Sequence, residues 1–445
     1  MSHTKGIFYH STMDRRIFVI GIRPGLALSG EAEKVKVKIK VKCLFEADVI
    51  LTSRRILDDL TAGGAAGGRW SELLPKIKVI DHMEDTVSFL RGFKGKAAVL
   101  ASGDPLFFGI GRVLAAEFPL EELEVHPALS SMQVAFSRIG RPWEEAFFVS
   151  LHGGKGKTKE GKSKRKFEPA DLPLLAGIHR RLMILTGGED RRPKDIAPFL
   201  PGGCRVFLFE RLGYPDENIS EFSTPEEILQ SERAFSFSEP NLMIVETECK
   251  ADRDVCFGLR EDEFEHDGLI TKDEVRAVLI HKLRLPREGV LWDIGAGSGS
   301  AGIEAKRLSP ALKVYAVEKD HARAQRINSN SRRLRAGAIT VVEGEAPDVL
   351  SLSGLPAPQR VVIGGGGERL GDIIKAVSRA MEEGVVVVTA ITIESLYEAL
   401  DALRKEGFKA IEAVQIAVSR MAPVGERNHM KAMNPVFIIK AEQER

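Results

Sequence analysis

The amino-acid sequence predicts an α/β protein built from two separate α/β blocks, and three observations carry that expectation. Short apolar runs alternate with helical stretches along most of the chain, the pattern of strand–helix units. Glycine-containing turns follow several of the apolar runs directly, at the strand ends where open sheets bind ligands. The alternation breaks in the polar, acidic stretch 248–266 and then restarts. At roughly 100–200 residues per domain, 445 residues give room for two or three domains, each with its own core.

The first block is expected over 14–250. Arg16–Gly21 (RIFVIG) reads as a buried strand, followed by the turn Arg23-Pro24-Gly25. Lys96–Ser102 (KAAVLAS) is a second strand, ending in Gly103-Asp104-Pro105. Arg181–Thr186 (RLMILT) runs into Gly187-Gly188, and Arg205–Phe209 and Leu242–Glu246 complete the block. Each turn alone is commonplace; their recurrence after separate strands points to a ligand. Two stretches fit less easily. Lys34–Lys42 (KVKVKIKVK) alternates with period 2, which reads as strand, although its place between a glycine turn and an apolar run suits a helix. Gly153–Lys166 holds seven basic residues and one acidic, and reads as a solvated surface segment, with anion steering as the alternative.

The second block is expected over 260–445. Its strands are Val290–Ile294, Lys313–Val317, Ile339–Val342, Arg360–Ile363 and Gly384–Thr389, separated by helices in a doubly wound sheet. Glu412–Val418 and Pro435–Lys440 follow as an expected hairpin. The strongest local signal is Asp293-Ile294-Gly295-Ala296-Gly297-Ser298-Gly299, an acid at a strand end followed by alternating glycines that open a helix. Glycine lets the backbone pass close under a ligand. Glu318, at the end of the next strand, is placed to accept hydrogen bonds from ribose hydroxyls.

Two cofactors compete for this loop. Gly297 to Gly302 satisfies GxGxxG, with Glu318 about 20 residues on, as in dinucleotide folds. Asp293 argues the other way: a carboxylate there suits the cationic amino-acid end of S-adenosylmethionine and crowds a pyrophosphate. Gly344-Glu345-Ala346-Pro347, after the third strand, adds support as an adenine-packing segment. After the fourth strand, Gly364–Gly367 offers no side chains to grip an exocyclic amine but clears space for a large flat substrate.

Composition narrows the rest. Lys plus Arg number 64 against 63 Asp plus Glu, a net charge of +1, so no bulk field favours nucleic acid or anionic membrane. No apolar run approaches the roughly 18–20 residues of a membrane span, and the N-terminal residues lack a secretory apolar stretch. Cys43, Cys204, Cys249 and Cys256 form no CxxC pair, so a reduced, cytoplasmic setting is expected and no metal site stands out.

The motifs VIGIRPG, LASGDPLFFGIG, HPALSSMQVAFSRIGRPWEEAFFVSLHG, LTGGEDRRPKDIAPFL and LFERLGYPDENI resemble the cobalamin-pathway tetrapyrrole methylases over roughly residues 16–246. GLITKDEVRAVLIHKLRL, DIGAGSGSAGIEAKRL, GEAPDVL, VIGGGG and NPVFII resemble the decarboxylating precorrin methyltransferases over about 265–441. The resemblance implies a tetrapyrrole-methylase fold of two α/β subdomains, followed by a Rossmann-like class I methyltransferase. It implies C5 methylation by the first domain, and C15 methylation with decarboxylation of the C12 acetate by the second. It implies one S-adenosylmethionine site per domain: Pro24, Gly103, Asp104, Ser130, Ser131 and Gly187 in the first, and Asp293, Gly295, Gly297, Glu318, Glu345 and Ala346 in the second. It further implies a homo-oligomer acting on a small tetrapyrrole. The chain departs from the family at Arg23, where glycine is usual, and at Thr52-Ser53-Arg54-Arg55.

A meso carbon with enamine character is already nucleophilic, so methyl transfer needs alignment more than a strong base. A polycarboxylate substrate calls for cationic clefts, and Thr271, Lys272 and Arg276 are the substrate-side candidates. The competing reading makes Thr271 a helix N-cap ahead of a solvated, charged first turn. His152 and His429 are candidate proton relays, against the plainer reading of polar contacts. A nucleic-acid or protein methyltransferase and a nicotinamide-dependent oxidoreductase stay open as alternatives.

Overall fold

The computed structural model describes residues 15–22, 34–61, 72–151, 167–188, 190–233, 236–247, 257–352, 354–364 and 367–444. Pro24, His152, the basic stretch 153–166, Cys249, Cys256, Gly365 and Gly366 lie outside the described residues.

Five strands form the first sheet: β1 (Arg15–Ile22), β2 (Val49–Thr52), β3 (Ile77–Val79), β4 (Gly95–Ser102) and β5 (Leu123–His126), in the order β3-β2-β4-β1-β5. Every pairing is parallel. Such a sheet needs cover on both faces, which is why Ile17 to Ile20 and Ala97 to Leu100 are continuous apolar runs rather than alternating ones. One face packs Phe18, Ile20, Cys43, Leu44 and Ile50, and the other Ile17, Val19, Val87, Leu90 and Leu114.

The lysine-rich segment is a helix, Lys34–Glu46. Its period-2 pattern loses to topology. Because β4 pairs with both β1 and β2, the chain leaving β1 must cross over before entering β2, and parallel neighbours need a long crossover. Lysine is a good helix former, and the last turns of this helix bury Cys43 and Leu44 against the sheet.

A second five-stranded sheet takes β6 (Phe147–Ser150), β7 (Arg181–Leu185), β8 (Arg205–Glu210), β9 (Asn218–Phe222) and β10 (Asn241–Glu246), in the order β6-β7-β10-β8-β9.

The third sheet has seven strands: β11 (Glu288–Ile294), β12 (Ala311–Glu318), β13 (Ile339–Glu343), β14 (Arg360–Gly364), β15 (Gly384–Ala390), β16 (Lys409–Ile416) and, after the ribbon β17 (Ser419–Val424) and β18 (Arg427–Ala432), β19 (Val436–Gln443). Its order is β13-β12-β11-β14-β15-β19-β16, parallel up to β15 and antiparallel at β19. The two terminal strands expected as a hairpin do pair antiparallel, as β16 and β19. They are not consecutive, however: β17 and β18 pair as a separate ribbon between them. That ribbon's residues are mostly exposed, so no apolar alternation announced it.

The chain forms two compact units, one of Met1–Ala146, Phe207–Glu221 and Ser236–Met243, the other of Phe147–Val206, Phe222–Phe235 and Ile244–Arg445. In the second unit, Trp292, Ile294, Val361, Ile363 and Val388 pack one face of the seven-stranded sheet, and Leu291, Val362, Val387 and Ile438 the other. Among the described residues, no helix is long and apolar enough to cross a membrane.

Candidate functional site

In the seven-stranded sheet the chain runs outward from β11 to β13 and then returns to β14 on the other side. The strand order therefore switches between β11 and β14, where open sheets take their ligands. Gly295, Gly297 and Gly299 all stand at positive φ there (70°, 57° and 77°), a conformation that other residues rarely adopt. A Cβ on Gly364, at the end of β14, would lie 3.1 Å from the Gly295 carbonyl oxygen, so the two strand ends close on one another.

The hydrogen bonds of this loop separate the two competing cofactors. The N–H groups of Gly295 and Ala296 donate to Val317 O at 2.9 and 3.1 Å. Gly297 N–H donates to Glu318 Oε2 at 2.8 Å, Gly299 N–H to Ala296 O at 2.8 Å, and Gly302 N–H to Asp293 Oδ2 at 2.9 Å. A pyrophosphate cradle presents free N–H groups to an anion. Here those donors are already taken by the protein, two of them by carboxylates.

Asp293 is 2% exposed, and its carboxyl is pushed up to about 6, chiefly by burial, offset by the Gly302 N–H and raised further by the nearby Glu318 charge. The site is thus short of positive charge, which suits a cationic ligand. Glu318 is also buried, and its second oxygen accepts Asp320 N–H at 3.0 Å. A carboxylate carries about four acceptor positions, so both acids keep capacity for a ligand.

The neighbouring strand end completes this set. Gly344 N–H donates to Glu318 O at 2.9 Å, which brings the segment 344–346 beside β12. Glu345 is half-exposed and pairs with Lys319 at 3.0 Å, while Ala346 packs partly buried against the core. The structure therefore gathers Asp293, Gly295, Gly297, Glu318, Glu345 and Ala346 along three adjacent strand ends. Asn330 supports the loop: its Nδ2 donates to Ser298 O at 3.0 Å, and its Oδ1 accepts Glu265 N–H at 2.8 Å. Nothing local marked Asn330, because it lies far along the helix His321–Arg333.

Arg276 is turned into the protein interior rather than toward solvent. It is fully buried, pairs with Glu304, and donates to the carbonyls of Thr271 (3.0 Å) and Leu259, with its guanidinium 5.1 Å over the Phe264 ring. Glu304 in turn accepts the N–H groups of Gly258 (2.5 Å) and Leu259 (3.0 Å). This pair fastens the segment after residue 256 to the helix Ser300–Leu308 that the glycine loop opens. Lys272 is a third exposed and pairs with Glu261 at 2.8 Å. It, rather than Thr271, occupies the N-cap position of the helix Asp273–Leu283. His429 is exposed on the β17–β18 ribbon, 3.0 Å from Ala422 O.

In the first unit, the C-terminal ends of β1, β4 and β5 meet mainly through backbone. Gly103 (φ 68°) donates its N–H to Ile22 O at 2.7 Å and accepts from Ala128 N–H at 3.3 Å. A Cβ on Gly103 would sit 3.2 Å from Ser130 Cα, and one on Gly21 only 2.1 Å from Gly103 O. Gly103, Ser130 and Ser131 are therefore brought together. Asp104 accepts Leu106 N–H at 2.9 Å and stays partly exposed. The buried Ser130 hydroxyl caps the helix Ser131–Ile139 in a reciprocal box with Gln133, and Ser131 is open to solvent. Lys40 holds the carbonyls of Gly21 (2.9 Å) and Pro127 (3.0 Å). Gly187 belongs to the second unit, at φ 128°, with its N–H on Arg191 O at 3.1 Å.

Known proteins match both halves of the chain. A family model described as tetrapyrrole (corrin/porphyrin) methylases covers residues 41–227, and one described as a precorrin methyltransferase domain covers 262–443. A precorrin-6Y C(5,15)-methyltransferase [decarboxylating] of Sinorhizobium sp is 33% identical over 431 residues, spanning 94% of this chain and 94% of that protein. A cobalt-precorrin-6B C(15)-methyltransferase (decarboxylating) of Salmonella typhimurium is 36% identical over 176 residues, 39% of this chain and 90% of that one. A solved precorrin-6Y C5,15-methyltransferase structure from Geobacter metallireducens is 40% identical, covers 42% of this chain and all of that one, and superposes with a TM-score of 0.40. With one relative aligned at this identity along nearly its whole length, the chain belongs to the family of decarboxylating precorrin-6Y C5,15-methyltransferases.

Proposed function

We propose that the chain methylates C5 and C15 of precorrin-6Y, or of its cobalt form, and decarboxylates the C12 acetate in corrin-ring biosynthesis. The domain over 14–250 acts at C5, and the domain over 260–445 acts at C15 and on the acetate. Each binds one S-adenosylmethionine, whose sulfonium supplies an electrophilic methyl group. In the second domain the observation that carries the reading is the pair of buried carboxylates, Asp293 and Glu318, facing a glycine loop with its N–H groups already bonded. That chemistry favours a cationic nucleoside over a nicotinamide dinucleotide. Asp293 receives the ammonium, Glu318 the ribose hydroxyls, and Glu345 with Ala346 the adenine. In the first domain Pro24, Gly103, Asp104, Ser130 and Ser131 serve the cofactor.

The acceptor carbons carry their own nucleophilicity, so the protein's work is alignment and exclusion of water. Decarboxylation leaves its electron pair on a carbon conjugated with pyrrole, and the ring itself accepts it. Thr271 and Lys272 belong to the substrate side in this reading, and Arg276 does not. A homo-oligomer and a cytoplasmic setting complete the proposal. Calorimetry with S-adenosylhomocysteine tests it: one equivalent per domain supports the two-site reading, and NADH bound in its place sinks it. Turnover of precorrin-6Y against its cobalt counterpart decides the natural substrate.

A further inference from the structure

The first unit holds a second constellation beside the glycine turns, where His126 ends β5 opposite Ile20. Glu124 and His126 are two residues apart on the edge strand β5, so both side chains project from one face. The last turns of the helix Lys34–Glu46 pack on that face and deliver Cys43. Cys43 Sγ lies 3.4 Å from His126 Nε2, and the same Nε2 lies 3.0 Å from Glu124 Oε1. One donor atom from each of the three residues falls within 4.8 Å of the others, the group of this kind found among the described residues.

We propose that Cys43, Glu124 and His126 bind one divalent transition-metal ion, zinc by the character of the donors. A thiolate, an imidazole and a carboxylate are the three ligand types that zinc combines. With metal–ligand bonds of about 2.0–2.3 Å, tetrahedral geometry puts neighbouring donor atoms about 3.3–3.6 Å apart, close to the spacing seen here. A hydrogen-bonded relay would use both nitrogens of the ring. Here one nitrogen faces both the thiol and the carboxylate, and its single proton or lone pair serves only one of them fully. A cation at the centre serves all three.

The surroundings agree. The other Glu124 oxygen is held by Arg16, which leaves Oε1 free to ligate and fixes its direction. Cys43 is buried while His126 and Glu124 reach solvent, so the three ligands are anchored on one side and the fourth position is open to water.

The test uses the full chain, stripped with chelator and then titrated with Zn²⁺ against a chromophoric competitor, and separately with Co²⁺ as a spectroscopic probe. Expected are one tightly bound zinc per chain and an intense near-ultraviolet thiolate-to-cobalt band. Cys43→Ser removes the band, His126→Ala removes stoichiometric binding, and Arg16→Ala weakens zinc by about 10-fold. The proposal is overturned if the wild-type chain shows no such band. It is equally overturned if Cys43→Ser leaves the band intact, since the thiolate would then come from Cys204, Cys249 or Cys256. Circular dichroism of each variant separates lost metal from lost fold.

Discussion

The strand ends proposed to take ligands in the two units are built by different means. In the first unit, β1, β4 and β5 close on one another through backbone, with Gly21 and Gly103 so near that no side chain fits between them. Beside the glycine loop of the second unit, charged side chains do the same work. Asp293 and Glu318 hold the loop, and the buried pairs Arg276–Glu304 and Lys306–Asp171 hold the helix that follows it. The first is sensitive above all to an added carbon. The second, whose Gly295, Gly297 and Gly299 also stand at positive φ, is sensitive to charge as well. Substitutions that respect this distinction sharpen it, and any that behave alike in both regions break it.

The largest effect is expected where a buried pair loses one member. Arg276→Met leaves Glu304 charged and unpaired at 1% exposure and should cost about 3–5 kcal/mol in a urea melt. Replacing both members, as Arg276→Met with Glu304→Leu, should recover most of that loss, because it removes the stranded charge. If instead the single variant melts like the wild type but raises KM for the tetrapyrrole, Arg276 serves the substrate after all.

Next comes Asp293. Its carboxyl is raised to about 6, above the ordinary value near 3.9, so the native state holds the proton more strongly than the unfolded chain. The associated stability is fully present below the unfolded value and is lost as pH rises through about 6. Asp293→Asn removes this dependence, so above pH 6 the ligand-free variant should be more stable than the wild type. The same change should weaken cofactor binding in the second domain by about 100-fold, the scale of a charged hydrogen bond, and leave the first site unaffected. Loss of both sites in calorimetry would mean that the two are not separate.

These residues also show what was legible in the sequence. The acid–glycine loop of 293–299 and its partner Glu318 were readable, because the turn that needs glycine and the strands that carry the acids are neighbours in the chain. Ser130 was expected only as a cofactor residue, and its cap on the helix Ser131–Ile139, shared with Gln133, went unread. The burial of Arg276 was not legible, because it depends on Glu304, 28 residues away on another helix. The helix at Lys34–Glu46 was ambiguous because crossover topology, not local period, decides it. Cys43 and His126, 83 residues apart, meet only once that helix lies across β5. Spacing along the chain carries no trace of such a meeting.

A third test probes the first unit. Gly21→Ala puts a methyl group 2.1 Å from Gly103 O and 2.7 Å from Ala128 N, both backbone atoms that cannot rotate aside. Overpacking of this kind should cost about 1–3 kcal/mol and abolish cofactor binding in the first domain while the second still binds. Gly302→Ala is the counterpart in the second domain, where the new carbon meets side-chain atoms of Asp293 and Val314 at 3.0 Å. Side chains give way more readily than backbone, so its cost should be the smaller of the two.

The smallest effect separates charge from shape within one residue. Glu318→Gln keeps an oxygen for the Gly297 N–H but loses the negative charge, and an amide supplies one acceptor oxygen where the carboxylate supplied two. The Asp320 N–H then goes short of a partner, or the ribose does. Fold stability should change little, while cofactor affinity in the second domain falls by about 10-fold, the size of one net hydrogen bond to a charged group. The comparison gives this small number its force. On the proposed reading the carboxylate oxygens of Glu318 bridge loop and ligand, so a site built from charge should lose affinity when only the charge is removed, with every backbone atom left in place. An unchanged affinity would show that the loop is held by its glycines alone, and the two strand ends would then be built in the same way.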